Sequence, residues 1–458
     1  MSIHVINLIY LIAASLFMLG IKNLSSPATA KLGNKLSMSG MAVAIAATLA
    51  SPDISGFTLI IIGIAIGAAI GGYAAIKVEM TAMPEMVALF NGCGGAASAL
   101  VAVAEFQGTT TGFESFTLIT LLLSIIIGGL TFTGSLIAFG KLQGIVSTRP
   151  ITYPGQQVVN AGIVALTLLL AWLVFQDPAN AFAFFGIVVL ALGLGVLAVI
   201  PIGGADMPVI VSLLNSYSGL AVSMTGFALN NNALIIVGSL VGASGLFLTK
   251  IMCDAMNRSL ANVLFGAFGK VDDSVAASEG PTGTMKGFEV DEVAMVLESA
   301  SSLIIVPGYG MAAAQAQHVT RELGDYLSEE GLEVRYAIHS VAGRMPGHMN
   351  VLLAEADVSY DQLFAMEDIN DDFANTDVVL VIGANDVVNP AAKTNPGSPI
   401  YGMPVLDVEK ARTVIVLKRS MNVGFAGIEN ELFYMDNTMM LFGDAKSSLQ
   451  KVLSALKE

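Results

Sequence analysis

The sequence predicts two architectures in one chain: a polytopic all-α transmembrane bundle of about nine helices, then a Rossmann-like α/β domain with a mostly parallel sheet. Three observations predict it. Charge is scarce and uneven: of 458 residues 54 % are hydrophobic and 12 % charged, and residues 1–260 hold only eight Lys or Arg, whereas soluble domains carry about a quarter charged residues. Apolar runs of membrane-crossing length recur through that first part. From about residue 291 the rhythm changes to short apolar runs alternating with helical ones, the pattern of a parallel sheet covered by helices. The expected division is therefore a transmembrane domain over 1–260, a linker over 261–288 and a soluble domain over 289–458.

The apolar runs fall at about 3–22, 38–51, 57–76, 85–106, 115–140, 158–175, 182–201, 207–228 and 232–253. That gives nine spans, or eight if the short second run does not cross. Residues 4–22 read as a retained helix, because no basic start and no nearby small-residue cleavage site accompany them. Under the nine-span count Lys22, Lys31, Lys35, Lys77, Lys141, Arg149, Lys250 and Arg258 all lie on one side, and the opposite loops near 52–56, 107–114, 176–181 and 229–231 contain no basic residue. Basic loops mark the cytoplasmic side, so the N-terminus is expected outside and the C-terminal domain in the cytoplasm. Gly63, Gly67 and Gly71, and again Gly238 and Gly242, recur at a spacing that lets helix backbones approach closely.

Few polar groups interrupt the spans. Asn91 lies in Asn91-Gly92-Cys93-Gly94-Gly95, Asp206 opens the eighth span, and Asn215 lies deeper in it. A hydrated proton path and plain helix-to-helix hydrogen bonding both explain such residues. Asp206 and Asn215 point to opposite faces of an ideal helix, so Asp206 reads as an entrance or switch residue. The net charge of -15 disfavours a nucleic-acid partner. Cys93 and Cys253 read as buried thiols in apolar runs, and no metal-ligand cluster or disulfide framework is expected.

Residues 266–288 are rich in Gly, Ser, Asp and Ala and read as a flexible linker. Beyond them the sequence predicts a helix over 291–300, strands over 302–306, 333–339, 378–382 and 413–417, and a helix over 311–329. After the first strand comes Pro307-Gly308-Tyr309-Gly310-Met311-Ala312-Ala313, a Gly-x-Gly-x-x-Ala turn. In a dinucleotide fingerprint the first glycine permits the turn, the second admits a pyrophosphate, the small third residue allows close helix packing, and the helix N-terminus offers free amides. A plain tight turn is the other reading. The acid that would bind the ribose hydroxyls of NAD after the second strand is missing; His339-Ser340 stands there. A later basic run, Lys418-Arg419-Ser420, suits a ribose 2′-phosphate, or else is a solvated strand end. Three further loops converge where strands should end: 342–348 with Arg344, 383–390 with Asn385 and Asp386, and 422–427, whose Gly424 and Gly427 suit a lid. His339 and His348 read as hydrogen-bonding residues, since nothing pairs them for catalysis.

Together these features resemble the beta subunit of bacterial proton-translocating NAD(P) transhydrogenase, and the C-terminal part of the mitochondrial enzyme, over essentially the whole chain. The marks are Val78-Glu79-Met80-Thr81, Gly203-Gly204-Ala205-Asp206-Met207-Pro208, Leu214-Asn215-Ser216-Tyr217-Ser218-Gly219, Ala255-Met256-Asn257-Arg258-Ser259, Pro307 to Ala312, the runs 342–355 and 382–392, and Phe442-Gly443-Asp444-Ala445-Lys446. The resemblance implies that the C-terminal domain binds NADP(H), that a separate alpha subunit binds NAD(H), and that hydride passes between the two nicotinamides as protons move inward across the bacterial cytoplasmic membrane. It implies activity only with the alpha subunit, in a two-fold dimer of alpha–beta units. It assigns Gly308, Tyr309, Gly310 and Ala313 to the pyrophosphate turn, Arg344 to the cofactor loop, Asn385 and Asp386 to the coupling loop, Lys418, Arg419 and Ser420 to the 2′-phosphate, and Gly424 to Gly427 to the lid. Asp206, Asn215 and Arg258 match positions tied to proton coupling. Some members carry a membrane histidine where this chain has Asn91, and asparagine does not titrate in the useful range. A histidine carrier would then come from a partner chain or another helix. The alternative function is an NADP-regulated membrane transporter without hydride transfer.

Overall fold

The computed structural model describes residues 3–24, 26–52, 54, 56–108, 112–265, 285–345, 347–398, 400–420, 422–424 and 426–458. The chain divides into two compact units, Met1–Gly203 with Val209–Thr249, and Gly204–Pro208 with Lys250–Glu458.

The first unit is helical. Its elements are α1 (Ile3–Leu24), α2 (Pro27–Leu49), α3 (Phe57–Lys77), α4 (Met83–Gly108), α5 (Ser115–Leu142), α6 (Gln156–Gln176), α7 (Ala181–Val199), α8 (Met207–Ala228) and α9 (Asn232–Ala255), the last two reaching the unit's boundary. Among the described residues, eight of these helices, all but α2, are long and apolar enough to cross a membrane. The second helix starts at Pro27, well before the apolar run at 38. Proline suits the first helical turn, and Ala28, Ala30, Lys31, Leu32, Lys35 and Leu36 after it are good helix formers, so helix formation here runs ahead of hydrophobicity.

Small residues let the helices meet backbone to backbone. A Cβ on Gly219 would lie 2.4 Å from Gly242 N and 2.8 Å from Gly238 O, and one on Gly238 would lie 2.7 Å from Gly219 O. Hydroxyls reinforce the same α8–α9 seam: Ser216 Oγ donates to Gly242 O at 2.7 Å and Ser212 Oγ to Gly245 O at 3.1 Å. Gly95 and Gly128 make a matching seam between α4 and α5, each with the other's carbonyl within 2.7 Å of where its Cβ would be. The stripe on α3 behaves differently from expectation. No described atom lies within 4 Å of the Cβ positions of Gly63, Gly67 or Gly71, and α3 buries none of its residues. Lys141, one of the basic residues used to orient the spans, is fully buried; its ammonium donates to Ile200 O and Ile202 O, both at 2.7 Å, and so caps the C-terminal end of α7.

The second unit contains α10 (Leu260–Phe265), α11 (Val290–Glu298), β1 (Ser302–Pro307), α12 (Tyr309–Ala313), α13 (Gln317–Glu329), β2 (Glu333–Ile338), α14 (His348–Glu355), β3 (Leu363–Ala365), β4 (Val378–Ile382), β5 (Thr413–Lys418), β6 (Thr438–Phe442) and a final helix Ala445–Leu456. All six strands are parallel, in the order β3-β2-β1-β4-β5-β6. That order belongs to doubly wound dinucleotide-binding sheets. Successive strand residues face opposite sides. Ile304, Val306, Val379, Val381, Val414 and Val416 pack on one side with Phe373, Leu406 and Leu432; Leu303, Ile305, Leu380 and Ile415 are buried on the other. Burial on both faces explains why these strands read as unbroken apolar runs.

Two strands and one helix break go beyond the sequence reading. The edge strands β3 and β6 lack the β-branched runs of the central four. The helix expected over 311–329 is two helices, α12 and α13, interrupted at Gln315, whose φ is +50°. Ala312-Ala313-Ala314-Gln315-Ala316 has high intrinsic helix propensity, so only tertiary packing reveals the break. The expected linker falls mostly on residues 266–284, outside the described residues. Its last residues are ordered into the sheet edge: Phe288 N donates to Met440 O and Met440 N to Lys286 O, both at 2.9 Å.

The α8–α9 seam yields a direct test. Gly219→Leu forces side chain into a backbone contact, with overpacking expected to cost about 1–3 kcal/mol. Its melting temperature in detergent should fall by several degrees, whereas Gly63→Leu, placed on the open stripe, should leave it nearly unchanged.

Candidate functional site

β1 and β4 are neighbours in register to their last residues, Pro307 opposite Ile382. The chain turns after each strand, and the two turns touch. Gly308 N donates to Ile382 O and Gly310 N to Gly383 O, both at 2.9 Å. A Cβ on Gly308 would sit 2.4 Å from Ala384 Cα, and one on Gly310 would sit 2.6 Å from Gly383 Cα. The reason for glycine thus differs from the one expected. Gly308 has an ordinary extended φ of -132°; closeness to 383–384 excludes a side chain there. Gly383 combines the same crowding with a φ of +65°. The small third residue is also reassigned. Ala313 is exposed and outside the cavity, while Met311 and Ala312 are the buried residues of α12. Because α12 spans only five residues, its macrodipole is slight.

A cavity of about 420 Å³ opens at this junction. It lies where the strand order reverses, the crevice in which open α/β sheets hold ligands. Gly308, Tyr309, Gly310, Arg344, Asn385, Asp386, Lys418, Arg419, Ser420 and Gly424 all line it, so the structure brings together most residues nominated from sequence. Gly427 does not line it; its φ of +72° and the bond from its N–H to Gly424 O at 3.2 Å make it the closing residue of the lid turn.

The side chains form an interlocked set. Arg344 stacks its guanidinium over the Tyr309 ring, Cζ to centroid 4.3 Å. Asp386 Oδ2 accepts the Ala426 N–H at 3.0 Å, and a Cβ on Gly424 would fall 2.4 Å from Asp386 Oδ1. The 422–427 segment is therefore drawn onto this carboxylate. Lys418 donates to Asn422 O at 2.7 Å and lies 5.4 Å from the centre of the Phe433 ring. Burial pulls its ammonium below the usual lysine range, partly opposed by Asp386. Arg419 and Ser420 are exposed at the rim. At the end of β2, where an acid would bind ribose hydroxyls, His339 is buried; its Nδ1 accepts the Val341 N–H at 3.2 Å, so Nε2 donates to Pro404 O at 2.8 Å. Burial lowers its pKa and keeps the ring neutral.

Sequence reading missed a brace under this loop. Asn430 is buried and donates through Nδ2 to Asn385 O at 3.0 Å and Asn385 Oδ1 at 3.1 Å. Asn389, also buried, donates to Glu429 O at 3.0 Å. Two amides thus tie the Asp386 loop to the strand of chain that follows the lid. Gly443 and Ala445 line the cavity as well. The signal for them was the apolar run Thr438–Phe442 before a helix capped by Asp444, whose carboxylate accepts the Ser447 N–H at 3.1 Å.

Of the nominated membrane residues, Arg258 also lines the cavity, while Asp206, Asn91 and Asn215 do not. Asp206 is buried and paired with Arg258, whose Nη1 lies 2.6 Å from Oδ1 and 2.8 Å from Oδ2. Asn91 is buried and donates to Val211 O at 3.1 Å across α4 and α8. Asn215 is half-buried, and its carbonyl accepts the Ser218 hydroxyl at 2.7 Å. Hydroxyls continue the polar seam: Ser124 meets Thr225 at 2.7 Å and Ser98 O at 3.3 Å. Among the described residues no three His, Cys, Asp or Glu side chains gather as a metal site.

The buried imidazole of His348 gives a pH prediction. Burial, and then the neighbouring Arg344 charge, push its pKa down from 6.5 to about 4. The unfolded chain binds a proton below about 6.5 and the folded chain does not until about 4, so the stability held by the neutral ring is complete above that window and is lost as pH falls through it. The melting temperature of the purified protein should drop between pH 6.5 and 4, and His348→Asn should flatten that part of the curve.

The comparisons with known proteins agree with this geometry. The family model for the NAD(P) transhydrogenase beta subunit matches residues 6–455. Two sequences described as NAD(P) transhydrogenase subunit beta from Rhodospirillum rubrum, one of them from a designated strain, are each 51 % identical over 456 residues, covering 98 % of this chain and 98 % of their own length. With the dinucleotide crevice, the cationic rim and the apolar helices of the first unit in one chain, this protein belongs to the NAD(P) transhydrogenase beta-subunit family.

Proposed function

We propose that the crevice between the β1 and β4 turns is the NADP(H) seat of this chain and that its lining residues divide the work of binding and coupling. The chain is the beta subunit of a proton-translocating NAD(P) transhydrogenase; it binds NADP(H) and acts with an alpha subunit that binds NAD(H). One observation carries the placement: a cationic rim after β5 faces the same cavity as the glycine turns, and the end of β2 presents neutral His339 in place of an acid. Such a site accepts a phosphorylated ribose.

When bound, NADP(H) supplies the hydride chemistry; the protein's residues hold it in place and keep it aligned. The Gly308–Gly310 turn, bare of side chains, lets pyrophosphate approach the backbone closely, with Arg344 held over Tyr309 adding positive charge. Lys418, Arg419 and Ser420 receive the 2′-phosphate, arginine as a fork and lysine as a point charge. Asn385 and Asp386 control the lid, since the Asp386 carboxylate holds the Ala426 N–H. Breaking that bond frees 422–427. Any proton event that favours one lid position must alter NADP(H) affinity, and NADP(H) must alter proton affinity in return.

The membrane assignments belong to the same proposal. Residues 1–260 form the proton-translocating domain, 261–288 the linker and 289–458 the NADP(H) domain, with nine spans, the N-terminus outside and the C-terminal domain in the cytoplasm. The seam of Asn91, Asn215 and the Ser124–Thr225 hydroxyls forms the proton route, and the Asp206–Arg258 pair is its switch at the connection to the soluble part. Asn91 serves as a hydrogen-bonding element. The assembly is a two-fold dimer of alpha–beta units.

Two measurements test this reading. Replacing Lys418 and Arg419 by Ala removes charge-assisted bonds of about 1.5–3 kcal/mol each; NADP+ should bind at least tenfold more weakly while the weak binding of NAD+ is unchanged. Equal loss for both nucleotides would move the 2′-phosphate elsewhere. In sealed vesicles holding this chain and its alpha partner, NADH-dependent reduction of NADP+ should accompany an uncoupler-sensitive internal pH change. Asp386→Asn should retain NADP(H) binding yet lower the coupled rate at least tenfold; an unchanged coupled rate removes Asp386 from the coupling role.

A further inference from the structure

We infer that His348, which lies outside the cavity, is the positioning residue that fixes Arg344 for NADP(H), with its Nδ1 acting as a latch on the 342–347 loop. The inference rests on the reading of Arg344 as a cofactor residue. His348 opens α14 and is fully buried. Its Nδ1 accepts the backbone N–H of Arg344 at 3.0 Å. A nitrogen that accepts a backbone N–H carries no proton itself, so the neutral ring holds its proton on Nε2. Nε2 is buried and makes no hydrogen bond among the described residues. An orphaned buried donor is unfavourable, so the ring is not there to satisfy Nε2; its hydrogen bond among the described residues is with the loop, and its ring lies beside Tyr309, centroids 6.4 Å apart.

The loop is shaped around that interaction. Gly343 has a φ of +107° and Gly347 a φ of +67°, on either side of Arg344. A Cβ on Gly343 would fall 2.5 Å from His348 Nδ1. Only glycine lets the chain wrap this closely around the imidazole. With its backbone held, Arg344 lays its guanidinium over Tyr309, 4.3 Å from the ring centre, and Tyr309 belongs to the Gly308–Gly310 turn. The sequence of contacts therefore runs from the His348 ring to the Arg344 backbone, to its guanidinium, and onto the phosphate turn. The acceptor is what matters, and asparagine places Oδ1 where histidine places Nδ1.

The test uses the full chain assembled with its alpha partner and compares His348→Leu, His348→Asn, Arg344→Ala and the double variant His348→Leu with Arg344→Ala. His348→Leu should raise the KM for NADP+ about tenfold, the scale of one lost hydrogen bond, with kcat within about twofold. His348→Asn should restore the wild-type KM. The double variant should be no worse than Arg344→Ala alone, because both act through one guanidinium. A wild-type KM in His348→Leu while Arg344→Ala is impaired overturns the latch and leaves the cofactor site standing. An unimpaired Arg344→Ala overturns the site reading and the latch with it. Additive losses assign His348 a merely structural role and overturn the inference. Should His348→Leu not fold, the nitrogen-15 spectrum of wild-type His348 in the reconstituted complex decides: a protonated Nδ1 overturns the latch, and an unprotonated Nδ1 hydrogen-bonded to an N–H supports it.

Discussion

At the carboxyl ends of β1 and β4 two turns meet backbone to backbone, Gly308 and Gly310 against Gly383 and Ala384. No side chain fits between them. The floor of the crevice is therefore made of peptide groups, and the Gly308 and Gly310 N–H groups bind the two turns to each other through Ile382 O and Gly383 O. The sheet order does the rest. It puts β2 on one flank and β5 on the other, so Arg344 and the Lys418–Ser420 rim approach from opposite sides of that floor. A single added methyl at Gly310 or Gly383 would push the turns apart and move every group that lines the cavity.

Around this floor the structure hangs the loops that line the cavity. The Asp386 carboxylate links the 383–390 loop to the chain after β5 through the Ala426 N–H. The Asn385–Asn430 and Asn389–Glu429 bonds tie the chain after that segment to the same loop. Under the proposed function, this arrangement converts a change at one carboxylate into a change in cofactor affinity without disturbing the sheet. Transhydrogenation requires this division, because hydride passes only when the two nicotinamides are aligned, while coupling to protons requires that alignment be withheld in part of the cycle.

In the first unit, close packing and polarity share the same seams. Glycines at 219, 238 and 242 bring α8 and α9 into backbone contact, and the serine hydroxyls between them are satisfied by carbonyls of the opposing helix. The Asn91 amide is held by Val211 O in the same manner. Under the proposed proton route, carriage along such a seam depends on water and hydroxyls.

Much of this was legible in the sequence. Scarcity of charge showed the membrane part, unbroken apolar runs showed the four central strands, and Gly308-Tyr309-Gly310, Arg344, Asn385-Asp386 and Lys418-Arg419-Ser420 were recognised before their convergence was visible. These signals are local: periodicity, composition and residue type act within a few positions of one another. The rest depends on contacts between residues far apart in sequence. Gly308 and Gly310 are glycines because of residues 383 and 384. Ala313 turned away from the cavity because the helix expected to continue through it breaks at Gln315. β3 and β6 became strands by pairing at the sheet edges, and β6 carried Gly443 and Ala445 to the site. Sequence by itself determined the two solvents, the kinds of elements and the chemistry available, since each follows from the side chains in a short window. Tertiary structure alone decided which backbones touch, which loops share a cavity and which polar atom each buried group meets, because those are set by the crossing of distant segments.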